Sequence, residues 1–435
     1  QDERRCGRSR FEAHESILAA ASSPGDTAGG GCVSQKRRLA VVALLYFVEG
    51  FPYGIFRGVW PVYFRTQGAS LESLGLLSGL YFAWSLKFLW SPLVGGWGSA
   101  QRWIAGALCV MATALVALGT EHAATLGVLA WATLIGFCVA SATQDIAIDA
   151  YTIGLVPRGE EGPANSVRIT AYRLALVSAG GPLLVLAGRV GWPAAFASAA
   201  LLLLVLAGAI SQTPRVAPKG QRSVDPRPAL RTWLFRPGAV GVLAFVLLFR
   251  LGDLAMVPML QPFWVDRGIT LGRIALVSNT LGPIATVVGA VSGGFVVARR
   301  GIGPSLLVLG LIALLPNLAY ATAAALPALG NPAVYVASVV ESFCAGLASA
   351  AFLACLMRIC EREHAAVQYA CLSALYAFPG TLAGLTSGFL VHRMGYASYF
   401  AMTAFLGLPA YAFLPWVRPW VHDASGAPNH GKGQP

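Results

Sequence analysis

From residue 39 to residue 417 the chain repeats one pattern: a long apolar stretch, a short polar turn, then another apolar stretch. Each stretch is about the 20 residues a helix needs to cross a bilayer. About twelve can be read, over 39–62, 72–95, 102–119, 125–150, 164–188, 191–211, 238–262, 273–298, 303–323, 332–357, 365–390 and 394–417. The stretches lack the period-two alternation of barrel strands, so membrane-spanning helices are predicted and a β-barrel is not. The 49 Gly and 26 Pro fit that prediction, since both residues are commoner in transmembrane helices than in soluble ones.

Two features divide the pattern in half. Residues 212–237, QTPRVAPKGQRSVDPRPALRTWLFRP, are basic and Pro-rich and separate six stretches from six. The flanking halves also resemble each other. YFRTQGASLESLGLLS (63–78) aligns without gaps on FWVDRGITLGRIALVS (263–278), matching Gly68 with Gly268, Ser70 with Thr270 and Leu71 with Leu271. GRVGWPAAF (188–196) aligns on HRMGYASYF (392–400), matching Gly191 with Gly395, Trp192 with Tyr396 and Phe196 with Phe400. Two such matches in the same order point to duplication. The domains expected are a disordered N-terminal tail (1–38), two six-helix halves (39–211 and 238–417), the linker between them and a C-terminal tail (418–435).

Composition agrees with a membrane protein: 56% of residues are hydrophobic and 11% charged, with mean hydropathy +0.64. The formal net charge of +12 is mostly a matter of topology. Sixteen Lys and Arg, from Lys36 to Arg418, fall on one side of the alternating stretches; five, Arg65, Arg189, Arg267, Arg273 and Arg393, fall on the other. The positive-inside rule then puts both termini and the linker in the cytoplasm, and no nucleic-acid partner is expected. The eight cysteines contain no CxxC pair, so neither a metal site nor a structural disulfide is expected. The first 35 or so residues lack an apolar core and read as a tail, not a signal peptide.

Two six-helix halves joined by a basic loop are the plan of the major facilitator superfamily, in which a central site opens to one side and then the other. Three stretches carry the resemblance further. EGFPYG (49–54), SLKFLWSPL (85–93) and ATQDIAIDAYTIGLVP (142–157) together resemble the AmpG-type muropeptide permeases and their relatives, the acetyl-CoA transporters and some siderophore-uptake permeases. That resemblance implies an all-α membrane protein of the major facilitator fold in a bacterial inner membrane. It also implies proton-driven import of a GlcNAc–1,6-anhydroMurNAc peptide for cell-wall recycling. The alternatives on the same scaffold are a siderophore, acyl-CoA or other organic-anion permease, or a sensor that binds without transport. In one place the chain departs from the family pattern. Where that pattern continues after KFLWSPL with an Asp-Arg pair and a cluster of arginines, this chain reads VGGWGSAQRW, with Arg102 alone.

An ionisable residue inside a span must face a cavity or a partner and is a functional candidate for that reason. Near mid-membrane lie Glu49, Arg173, Arg250, Asp253 and Glu341. Arg173 has no carboxylate three or four residues away and suits an anionic solute; Arg250 and Asp253 are three apart and share a helical face. Substrate contact is expected of Arg173, Arg250, Tyr53, Trp84 and Tyr172. Proton coupling needs a carboxyl able to gain and lose a proton, and Glu49, Asp253 and Glu341 are the candidates. Gly50, Pro52 and Gly54 are expected to loosen or kink the first helix, and Trp60 and Tyr63 to sit in an interfacial belt.

The Asp145 and Asp149 carboxylates, four residues apart, share a face towards the cytoplasmic mouth, where Lys87 and Arg168 lie at comparable depth. With Gln144 they read as a cytoplasmic gate network. No catalytic constellation, P-loop or cofactor motif is present, so no enzyme activity and no cofactor are expected. The expected partners are a small-molecule substrate, protons and the lipid bilayer, with the chain a monomer.

Overall fold

Helices follow the apolar stretches closely. The computed structural model describes residues 34–96, 98–120, 127–157, 160–214, 231–361 and 365–422. The expected N-terminal tail to residue 33, linker residues 215–230 and C-terminal tail residues 423–435 lie outside them. The described residues 34–40 belong to one unit and the described residues from 41 to 422 to another.

In chain order the helices are α1 (Gln35–Thr66), α2 (residues 71–96), α3 (Ala100–Thr120), α4 (Val128–Leu155), α5 (Glu161–Val190), α6 (Trp192–Ser211), α7 (Ala239–Asp266), α8 (Leu271–Arg300), α9 (Ile302–Ala325), α10 (Gly330–Ile359), α11 (residues 365–394) and α12 (residues 396–422). Ten helices among the described residues are long and apolar enough to cross a membrane. Two features account for the difference from the dozen stretches read in the sequence. α2 is a succession of short α and 3-10 segments, and α11 runs into α12 through Gly395, whose φ of 75° turns the chain. α12 continues to His422, with Val417, Trp420 and Val421 buried.

The duplicated segments adopt the same backbone. Gly68 and Gly268 both take positive φ, 89° and 68°, which only glycine does without strain. Ser70 and Thr270 then stand in extended conformation (φ −68°, ψ 154° and φ −64°, ψ 149°) before the six-residue helices Leu71–Leu76 and Leu271–Leu276. Gly191 and Gly395 also share positive φ, 88° and 75°. Beyond them Phe196 packs on Tyr63, and Phe400 on Phe263, in edge-on pairs 4.8 and 5.5 Å apart.

Helix contacts rest on small residues, as expected where lipid supplies no hydrophobic drive between helices. Gly50 and Gly54 of α1 face α5 so closely that an added Cβ would lie 2.8 Å from the Tyr172 carbonyl oxygen and 2.8 Å from the Ala179 Cβ. These glycines bring two helices together and do not loosen α1, which stays α-helical over Gln35–Gly58 and breaks at Val59. Trp60 and Tyr63 correct the belt expectation: both are buried, Trp60 against Phe137 at 4.9 Å, while the Tyr63 hydroxyl donates to the Leu118 carbonyl at 2.8 Å.

The two groups of six helices meet at the end away from the linker. There Arg65 grips Asp266 through Nε–Oδ1 and through Nη2–Oδ2 at 2.7 Å, and the Tyr396 hydroxyl donates to the same carboxylate at 2.7 Å. His392 Nδ1 lies 3.0 Å from Glu72 Oε1. Deeper in, Asn279 Nδ2 donates to the carbonyls of Gly58 (3.1 Å) and Gly180 (3.3 Å), and Gln261 donates to Asn279 Oδ1 at 3.1 Å. One side chain thus ties α8 to α1, α5 and α7. It stands in a π-helical stretch, Val277–Leu281, a distortion often found at working parts of proteins. Glycines seal the α2–α11 contact: Cβ atoms at Gly384 and Gly388 would overlap Ser78 and the Leu71 carbonyl.

Candidate functional site

One face of α1 carries most of the chemistry. Tyr46, Glu49, Tyr53, Phe56, Arg57 and Trp60 recur at helical spacing, so the glycine stripe packs on α5 while this stripe faces α2, α4 and the space between the two groups. Tyr53 meets Trp84 edge-on at 5.4 Å, Tyr81 at 6.3 Å and Tyr172 at 6.4 Å; Phe56 lies 4.7 Å from Tyr81 and 5.2 Å from Trp84. The expected aromatics Tyr53, Trp84 and Tyr172 therefore come together in one frame, to which the structure adds Tyr81 and Phe56.

Arg57 stands in that frame. Its side chain is exposed, yet protein surrounds it, with Tyr53 in hydrogen-bonding reach and Tyr81 and Tyr172 beside it. It therefore lines an internal cavity. Sequence reasoning missed it, although it lies four residues after Tyr53 and eight after Glu49, a spacing that marks the same helical face. Arg173 on α5 is also exposed and stands seven residues before Gly180, which packs on Asn279 of α8. That spacing turns Arg173 towards the space between the groups.

Below this level, towards the linker, the gate candidates assemble within α1, α2, α4 and α5. Lys87 Nζ lies 3.6 Å from Asp145 Oδ2, and Arg168 Nη2 lies 3.7 Å from Asp149 Oδ1. The Tyr46 hydroxyl donates to Asp149 at 3.2 Å, and the Arg168 guanidinium stacks on the Tyr46 ring at 4.4 Å. Gln144, fully buried, donates to the Val48 carbonyl at 2.8 Å. The two like-charged aspartates on α4 are thus each met by a cation from another helix. Glu49 is within electrostatic reach of Asp145, Asp149, Lys87 and Arg168, and its Oε2 is buried without a hydrogen-bond donor. Asp149 and Arg168 stay 43% and 45% exposed, so this end of the cavity is accessible from the linker side.

The second group contributes a smaller cluster. α7 breaks at Arg250, and Asp253 lies in the first turn after the break, where a carboxylate suits the helix N-terminus. Arg250 Nε is 3.3 Å from Asp253 Oδ2, and its Nη1 donates to the Ala345 carbonyl (3.0 Å) and Ser349 (3.1 Å) of α10. The Arg250 guanidinium is thereby committed to protein partners. Glu341 accepts from Ser342 at 3.2 Å and is within reach of Asp253, Arg250 and, from the other group, Arg57.

Clefts of about 370 and 340 Å³ lie at the two ends of the molecule, the first beside Asp266 and Tyr396 and the second beside Arg236 and Trp416, away from these charges. Among the described residues no group of three or more His, Cys, Asp or Glu could hold a metal ion. The arrangement suits binding and ion movement: a cavity closed at one end, framed by aromatics, with cations and carboxyls at mid-depth.

Known proteins share this plan. A family model described as Major Facilitator Superfamily matches residues 42–370. The anhydromuropeptide permease of Escherichia coli (strain K12) is 28% identical over 402 residues, covering 88% of this chain and 80% of that protein. Among solved structures, a bacterial homolog to the human lysosomal transporter Spinster, inward-facing and unoccupied, superposes with a TM-score of 0.70 at 14% identity, covering 91% of this chain and 100% of that one. A D-xylose-proton symporter superposes at 0.67 with 13% identity, over 90% and 99%.

Proposed function

The chain belongs to the major facilitator superfamily, and from that premise we propose that it imports anhydro-muropeptides with protons across the inner membrane of a bacterium. The observation that carries the cargo is similarity over 88% of the chain to a permease whose name states that substrate. The site is compatible with it. Sugar rings have apolar faces that stack on aromatics, as the frame of Tyr53, Tyr81, Trp84 and Tyr172 offers, and peptide carboxylates suit Arg57 and Arg173. Arg250 serves to hold α7 against α10.

The linker end faces the cytoplasm in this reading, because Lys and Arg concentrate there. The conformation described is then open inwards and closed outwards. Transport exchanges it for the opposite one: residues 41–211 and 239–421 rock about the cavity, the contacts at Arg65–Asp266 and Asn279 break, and contacts form at the linker end. Glu49 and Glu341 carry the protons, because each is a carboxyl at mid-depth without a cation at salt-bridge distance among the described residues. Lys87, Asp145, Asp149, Arg168 and Gln144 link their state to the inner gate. The transporter works as a monomer, since each chain contains the whole cavity.

Purified protein in vesicles with an inwardly directed proton gradient should accumulate a labelled anhydro-muropeptide, and a protonophore should abolish the accumulation. Accumulation of a ferric siderophore or an acyl-CoA in its place would reject the cargo. Saturable binding with no accumulation would reject transport in favour of sensing.

A further inference from the structure

The intramembrane charges do not all pair. In the spans of α1, α2, α4, α5, α7 and α10 lie five cations, Arg57, Lys87, Arg168, Arg173 and Arg250, and five carboxyls, Glu49, Asp145, Asp149, Asp253 and Glu341. Three ion pairs account for six of the ten groups: Lys87–Asp145, Arg168–Asp149 and Arg250–Asp253. Among the described residues the other four form no ion pair. Arg57 has Tyr53, Tyr81 and Tyr172 beside it and Glu341 within electrostatic reach; Glu49 keeps a buried oxygen without a donor; Arg173 is exposed and stands seven residues before Gly180, on the same helical face.

The four also fall at two depths. At about 1.5 Å per residue, Arg57 and Glu341 lie roughly 14 and 17 Å from the outer helix ends, whereas Arg173 and Glu49 both lie roughly 26 Å from them. Each level holds one unpaired arginine and one unpaired carboxyl. An intramembrane charge without a counter-charge is disfavoured, so the empty cavity is balanced when both glutamates are ionised. Solute carboxylates on the arginines would leave two uncompensated negative charges, and protons on the glutamates remove them.

We propose that the cavity takes an elongated solute with two acidic groups on Arg57 and Arg173, and loads two protons, on Glu49 and Glu341, with each dianion. This rests on the transport reading above and specifies the solute's charge and the number of protons. Loading is then electroneutral. The solute carboxylates neutralise the arginine charge that balanced the ionised glutamates, so neither solute nor proton is favoured alone and the two enter together.

The test uses vesicles containing the full chain, with potential set by potassium and valinomycin and an anhydro-muropeptide of net charge −2 as probe, beside its carboxyl-amidated neutral form. Wild-type uptake of the dianion should follow the pH gradient and ignore the imposed potential, and the amidated form should be a poor substrate. Glu341→Gln carries one proton fewer, so uptake should move negative charge inwards and accumulation should fall about fifty-fold at 100 mV, inside negative. Arg57→Gln should lose the preference for the dianion, with folding verified by an unchanged melting temperature and elution profile.

Potential-dependent uptake by the wild type, or equal uptake of the amidated form, overturns the proposal while leaving the cargo reading intact. Failure to take up either form overturns the cargo reading instead, and the charge balance is then tested without solute. Arg57→Gln combined with Arg173→Gln should add two protonated carboxyls to the infrared spectrum of the empty protein at neutral pH. A spectrum equal to the wild type's overturns the balance whatever the cargo is.

Discussion

The two ends of the molecule use polar residues in opposite ways. At the far end, Arg65 with Asp266 and Asn279 with the Gly58 and Gly180 carbonyls bond across the two groups of helices. At the linker end, Lys87, Asp145, Asp149 and Arg168 bond within one group. Contacts across the groups must break whenever the cavity changes sides, so they set the balance between conformations. Contacts inside one group can persist through the cycle, so they shape the mouth of the cavity and the environment of Glu49. Loss of a far-end residue should therefore change which conformation is populated, and loss of a linker-end residue should change what the cavity can carry.

The largest effect is expected where backbone meets backbone. Gly388 leaves no room for a side chain beside the Leu71 carbonyl, so Gly388→Leu should prevent the outer end from closing and abolish uptake. A cysteine pair introduced by Glu72→Cys and His392→Cys, which cross-links when that end is shut, should then fail to cross-link. Efficient cross-linking in the Leu variant would show that α2 and α11 need not approach so closely.

Next comes Asp149→Asn, which removes the charge that Arg168 and Tyr46 share. Uptake should fall about fifty-fold, a loss that falls on the coupled network of Tyr46, Arg168, Lys87, Asp145 and Glu49 more than on the half-exposed ion pair itself, while solute binding from the outer side stays within two-fold. Equal loss of outer binding would put Asp149 in the binding site and blur the distinction between the two ends.

The reach of the sequence follows the same division. Helices were legible because bilayer thickness fixes their length, and the linker-end pairs because Asp145 and Asp149 are four apart and two cations could be placed at their depth. The duplication was legible as well, in the matched Gly68 and Gly268 and the matched Gly191 and Gly395, and the structure gives all four a positive φ. Cross-group contacts were not, because they join residues far apart in the chain, from 99 positions for Gly180 and Asn279 to 221 for Gly58 and Asn279, in one of two alternating conformations. A trace of them was still present: Arg65 and Asp266 fall one register apart in the aligned segments YFRTQG and FWVDRG, with opposite charges. Asn279 left no trace, being an ordinary polar residue in an apolar helix until the π turn aims it at two glycine carbonyls.

Arg65→Ala should act on conformation alone. The pair is partly buried, 22% and 25% exposed, and its charge-assisted hydrogen bonds are worth about 2 kcal/mol, or roughly a thirty-fold shift in equilibrium towards the outward-open state. The shift should be visible as faster labelling of a cysteine at Gln261 from the outer side. The reversed pair, Arg65→Asp with Asp266→Arg, should restore most of the wild-type rate, whereas either change alone should behave like the alanine variant or worse.

The smallest effect, and the most discriminating, is expected of Asn279→Ala. Two of its bonds go to carbonyls of α1 and α5 and a third comes from Gln261 of its own group. Neutral interhelical hydrogen bonds in membranes average about 0.6 kcal/mol each, so losing the two cross-group bonds should shift the equilibrium about eight-fold outwards. Gln261→Ala removes only the bond inside the group and should leave the equilibrium nearly unchanged, although its side chain bonds directly to that of Asn279. If both variants shift the conformation equally, depth in the membrane matters and crossing between groups does not, and the contrast between the two ends loses its physical basis.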